Sequence, residues 1–135
     1  MPVHAAPPVL TRTELARAFA THRFAEVYDR LDPDLRWIVD GRPALDRDAT
    51  VVACESLLGD LAHTVAELLR VEVVEDGASV TVETVTRYVD LTGTTVVASQ
   101  DTLDFEGATV VAITSYVAEA ADPADPVSPA EPAAS

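Results

Sequence analysis

Apolar and polar positions alternate with a period of two through the second half of the chain, the spacing of strands with one buried face. The clearest stretch is Val96 to Tyr116, VVASQDTLDFEGATVVAITSY, two apolar-rich runs joined at Glu106-Gly107. Asp76-Gly77 and Thr92-Gly93 are further X-Gly pairs between β-branched runs, the mark of hairpin turns. Together they predict a four-strand antiparallel meander over 62–75, 78–91, 94–105 and 108–119. Strands about twice the usual length have to twist and curl. Within the third of them Asp101 shares a face with Val97, Leu103 and Phe105, so the pattern aims a carboxylate at the core.

The first half carries the helical period instead. Thr11-Arg12-Thr13-Glu14 has the form of a capping box, and Leu15, Ala18, Phe19 and His22 follow at helical spacing. A second short helix is expected to put Phe24, Val27, Tyr28 and Leu31 on one side, ending at Asp32-Pro33. Leu35 to Val39 reads as a short strand turned by Asp40-Gly41. Asp46 or Asp48 can cap a third helix bearing Val51, Val52, Leu57, Leu58 and Leu61, with Gly59 near its end. Helices first and strands later predict an α+β fold with the helices on one face of the sheet. Residues 1–10 and 122–135, rich in proline and without periodicity, are expected to be flexible tails around one domain at 11–121.

The composition narrows the partners. Of 135 residues 23 are acidic and 9 basic, a formal charge of −14. All nine basic residues are arginines, scattered along the sequence. Such a field disfavours nucleic acid and anionic membranes, which need clustered positive charge. No uncharged apolar run reaches the roughly 20 residues of a membrane helix. MPVHAAPPVL lacks both the basic and the apolar segment of a secretory signal. Cys54, the single cysteine, excludes an internal disulfide. The expectation is a cytoplasmic protein. No pair of histidines has metal-ligand spacing, so neither a metal nor another cofactor is expected.

FATHRFAEVYDRLDPDLRWIVDG and DTLDFEGATVVAITSY resemble the opening and the closing strands of the nuclear transport factor 2-like superfamily, which includes SnoaL-like domains and ketosteroid isomerases. Over about residues 11–119 the resemblance implies a cone-shaped, cystatin-like fold, a curled antiparallel sheet wrapped around the N-terminal helices. It implies a homodimer and a cavity for a small apolar or polycyclic molecule. The functions it brings are isomerase, cyclase, dehydratase, epoxide hydrolase and plain binding domain, because one fold hosts many activities.

On this resemblance Asp101 falls on the acid that ketosteroid isomerases keep protonated to polarise a substrate oxygen. The residue pattern agrees, since desolvation raises a carboxyl pKa. Asp40 falls within about one residue of the general base, although Asp-Gly is also an ordinary turn pair. His63, expected on the first long strand, is the third catalytic candidate, as a proton carrier. Trp37, Tyr28, Tyr88, Tyr116, Leu103 and Phe105 are the candidate ligand wall. Arg70 and Arg87 would anchor an anionic group or pair with nearby acids. His22 is expected against helix carbonyls, and Cys54 as a small buried apolar residue.

Two departures separate the chain from specific members. Leu15 stands near the position of the isomerase helix tyrosine, and Ser99 where the epoxide hydrolases carry a bridging arginine. The leading expectation is acid–base chemistry on an apolar oxygenated substrate. The other is a non-catalytic binding or dimerisation domain. Both faces of the last strand, Val110 and Ala112 against Val111 and Ile113, are expected to be apolar, so that the outer one needs a partner.

Overall fold

The computed structural model describes residues 10–122; the two predicted tails lie almost wholly outside them. Helix α1 spans Arg12–Ala20, with the capping box formed: Glu14 N–H donates to Thr11 Oγ1 and Thr11 N–H to the Glu14 carboxylate. Instead of a second α-helix, two 3-10 turns occupy Phe24–Glu26 and Tyr28–Arg30. They still bury Phe24 and Val27. Strand β1, Leu31–Val39, starts four residues earlier than the pattern indicated and runs through Pro33. The tolerance is physical: β1 is an edge strand with a register shift between Leu31 and Arg36, where a missing N–H breaks no ladder. Asp46 caps helix α2, Arg47–Asp60, by accepting from Ala49 N–H at 2.8 Å.

The meander follows as β2 (Val65–Asp76), β3 (Ser79–Asp90), β4 (Gly93–Glu106) and β5 (Thr109–Glu119). Its three hairpins are antiparallel, while β1 joins β5 in parallel, giving the order β1-β5-β4-β3-β2. Register shifts between Leu68 and Arg70 on β2 and between Asp104 and Phe105 on β4 bend the long strands. Helix α1 packs on β3 and β4 inside the curl, and α2 lies against β1.

The second of those shifts corrects the expected faces of β5. Glu106 pairs with Thr109 and Phe105 with Val110, but Asp104 pairs with Ala112, leaving Val111 as an extra residue. Parity therefore changes at Val111. Val110 and Ile113, assigned to opposite faces by simple alternation, are both fully buried. Tyr116 points outward and is exposed.

One end of the cone is packed solid. Leu15, Leu35, Leu103, Val110 and Ile113 are almost completely buried there, with Phe105 beside them. The Arg12 guanidinium lies 5.6 Å over the Phe105 ring and donates to Gly107 O at 2.8 Å, fastening α1 to the last hairpin.

Candidate functional site

At the other end the sheet and helices do not meet, and a cavity of about 330 Å³ remains. Phe19, Ala20 and His22 border it from α1 and its exit, Leu57 and Leu61 from α2. Trp37 and Val39 of β1, Val97, Ser99 and Asp101 of β4, and Ser115 and Val117 of β5 form the wall opposite, with Tyr88 at the rim of β3. Phe19 fixes the aromatic corner, its ring 5.3 Å from those of Phe24 and Trp37 in edge-on contacts.

Asp101 is the one carboxylate that lines the cavity among the described residues and is only 7 % exposed. Its strand partner on β5 is Ser115, whose hydroxyl donates to Asp101 Oδ1 at 2.5 Å. Trp37 Nε1–H in turn donates to Ser115 Oγ at 2.9 Å. This chain fixes the direction of the serine proton, because an indole N–H can only donate. Burial pushes the Asp101 pKa up to about 6, against the opposing pull of the Ser115 hydrogen bond. Its second oxygen has no hydrogen-bond partner among the described residues, yet it is not completely enclosed. The Asp101 side chain lines the cavity. A carboxyl so placed can give a proton, or a hydrogen bond, to an oxygen brought in by a ligand.

His22 reaches the cavity by a route the sequence does not display. Helix α1 ends with Arg23 N–H donating to Ala18 O and His22 N–H to Phe19 O, a Schellman closure. The helix carbonyls are thus served by backbone N–H groups, not by the imidazole. With φ at 66°, His22 occupies the left-handed position usually given to glycine. The ring lies among Phe24 and Tyr88, at 5.6 and 6.2 Å between centroids. Burial depresses its pKa, so it is neutral at neutral pH.

Solved structures share this architecture. An NTF2-like protein of unknown function from Cytophaga hutchinsonii superposes with a TM-score of 0.67 at 24% identity, over 77% of this chain and 93% of that one. The fold is that of the nuclear transport factor 2-like proteins. A proposed polyketide cyclase from Xanthomonas campestris pv. campestris matches at a TM-score of 0.59 and 18% identity, over 76% of this chain and 83% of its own. An LEH-like epoxide hydrolase from M. tuberculosis matches at 0.57 and 15%, over 77% of each chain. No protein-family model and no curated protein sequence matches the chain.

Within this nuclear transport factor 2-like cone, the sequence candidates separate. Asp101, Trp37 and Tyr88 come together on the cavity wall. Asp40 does not line it: the residue is exposed, with φ at 49°, and its carboxylate accepts from Val117 N–H at 3.0 Å. His63 is also outside. Residues 62–64 extend the turn after α2 instead of opening β2, because Ala62 and Thr64 N–H bond back to Gly59 and Leu61, and the imidazole is exposed.

The remaining wall candidates have other positions. Leu103 and Phe105 fill the closed end. Tyr28 donates to Glu55 Oε2 at 2.7 Å, and Tyr116 is on the outer face. Arg70 pairs with Glu72, while Arg87 pairs with Glu67 and, through two nitrogens, with Asp122. These ion pairs lie on the strand faces opposite the cavity. Cys54 is buried, its thiol pushed up to about 12 by burial and by the charges of Glu55 and Asp101. It is an inert thiol at neutral pH. Ser115 and His22 are the site residues that sequence reasoning missed. Among the described residues no group of three or more potential metal ligands occurs, and no helix is long and apolar enough to cross a membrane.

Proposed function

We propose that the cavity binds a small, neutral, largely apolar molecule through an oxygen, and that Asp101 serves as the proton donor in acid–base chemistry on it. Isomerisation, cyclisation and dehydration all proceed through such a polarised oxygen. The observation that carries this reading is the buried Asp101 carboxyl on the wall of a largely apolar cavity, with one oxygen held by Ser115 and the other without a hydrogen-bond partner among the described residues. Among the described residues no cation lines the wall, so an anionic ligand would meet there a carboxyl without a compensating charge.

The test uses prodan, a neutral naphthyl ketone whose emission responds to hydrogen bonding. Its affinity is expected to fall as pH rises through about 6, where Asp101 loses its proton, and to be independent of pH in Asp101→Asn. A carbon-13 titration of the Asp101 carboxyl supplies the direct check. A pKa at or below the ordinary value of about 3.9, or pH-independent binding by the parent, overturns the proposal.

A non-catalytic binding domain is the second reading. It is favoured by Asp40, whose carboxylate is committed to the Val117 amide, leaving the wall without a second carboxylate among the described residues. Once a turned-over substrate is found, Asp101→Asn separates the two: an enzyme loses kcat, whereas a binding domain has none to lose. In either reading we expect a homodimer through the outer sheet face, where Ala98, Thr102, Ala112 and Thr114 present small side chains beside exposed Tyr116. Sedimentation equilibrium at micromolar concentration checks it, and a monomer excludes it.

A further inference from the structure

Besides the Asp101–Ser115 pair and Ser99, two polar groups border the cavity near its mouth, and they face each other. Tyr88 Oη stands 3.5 Å from His22 Nε2, at the long limit of a hydrogen bond. Neither ring nitrogen of His22 has a nearer partner among the described residues. Both side chains are half-buried, where polar groups left unfilled are unfavourable. Desolvation holds both uncharged, lowering the imidazole pKa and raising that of the phenol. The mouth thus offers a neutral donor–acceptor pair, in which the phenol also interacts with the Thr86 hydroxyl and the imidazole keeps spare capacity.

The backbone supplies the second observation. The left-handed position that ends α1 favours glycine above every other residue, and this chain places a histidine there. What histidine offers beyond glycine is its ring, which closes one side of the cavity. Tyr88 lies six residues along β3 from Val82, which pairs with Asp101, so the two backbone sites are up to about 20 Å apart along the strand. Desolvation raises the Tyr88 pKa, and the Asp101 charge across the cavity adds to it. Between them the wall is mainly apolar, Phe19, Leu57, Leu61 and Val97, with the Ser99 hydroxyl already engaged by Thr84 Oγ1 at 2.7 Å.

We infer that the cavity holds its ligand at two poles, the second being His22 with Tyr88, and so selects a neutral ligand with an oxygen at each end of a flat apolar body. This rests on the reading above, in which Asp101 grips one oxygen. A volume of about 330 Å³ is at the small end of ligand cavities and suits a body of two fused rings. His22 acts here as a specificity residue, donating to or accepting from the distal oxygen.

The test compares two probes by fluorescence titration: acetylnaphthalene, and the same ketone with a hydroxyl on the far ring. The parent is expected to bind the hydroxylated ketone about five- to tenfold more tightly, the effect of one net hydrogen bond. In His22→Gly that ratio falls to about one, while the melting midpoint stays level or rises because glycine relieves the left-handed backbone. His22→Asn, which tolerates that backbone and keeps a hydrogen-bonding amide, retains part of the ratio, and Tyr88→Phe lowers it. A ratio of one in the parent overturns the inference, as does a ratio that survives in His22→Gly. A His22→Gly protein that melts lower and binds both ketones equally poorly shows the ring to be packing alone, and also overturns it. Failure of the parent to bind either ketone is the separate result that removes the underlying reading of the cavity.

Discussion

Strand β4 has two halves that face the same way and do opposite things. Leu103 and Phe105 point inward at the closed end and are almost wholly buried among Leu15, Val110 and Ile113. Val97, Ser99 and Asp101, continuing the same alternation, border open space. The difference lies in what the helices bring opposite them. At the closed end Arg12 ties α1 to the β4–β5 turn, and close packing follows. At the open end α1 stops at Ala20 and the chain swings away through His22, so no side chain fills the curl. A single binary pattern on one strand thus builds both a core and a site.

The largest effect expected is at the closed end. Leu103→Ala should destabilise the protein by about 3–5 kcal/mol, the transfer loss plus a new void. Val97→Ala, on the same strand face, should cost under about 1 kcal/mol because its neighbours are already open. Urea denaturation of both variants checks the contrast, and equal losses would mean that the two ends are packed alike.

Asp101→Asn comes next. The folded pKa of about 6 is above the ordinary carboxyl value of 3.8, so the native state holds this proton more firmly than the unfolded chain does. The stability from Asp101 is accordingly complete below the unfolded pKa and lost as pH rises through the folded one, by on the order of 3 kcal/mol. Asp101→Asn lacks that loss, so its stability relative to the parent should climb between about pH 4 and about pH 7. Parallel stability profiles for the two proteins would place the carboxyl in water.

The smallest effect is at Asp40. Asp40→Ala removes the acceptor for Val117 N–H and a residue that tolerates a positive φ, for a loss of about 1 kcal/mol. The Asp101 titration should not move. A well-folded Asp40→Ala protein that no longer binds prodan would return Asp40 to the site.

Much of this is legible in the sequence itself. The three X-Gly pairs mark the hairpins, and Thr11 and Glu14 mark the start of α1, since those signals act within a few residues. Asp101 also stood out, because a lone acid in an apolar alternation is visible locally. His63 and Tyr116 were misplaced for the same reason: alternation assumes that a strand begins where its pattern begins and never slips. A turn carried on to residue 64 removed His63 from β2, and one extra residue in β5 turned Tyr116 outward.

That extra residue divides what the sequence determined from what it left open. Period, turns and caps determined an α+β chain with helices inside a curled meander and an acid on its inner face. They left open what the acid would meet. An unbroken hairpin closed by Glu106 and Thr109 would set Thr114 against Asp101, whereas the bulge at Val111 sets Ser115 there and brings Trp37 into the chain of hydrogen bonds. A bulge depends on how two long strands bend around packed helices. The position of His22 likewise depends on how α1 terminates against the wall. Both are decisions of tertiary packing, made between residues far apart in the sequence, and they convert a buried acid into a site with a shape.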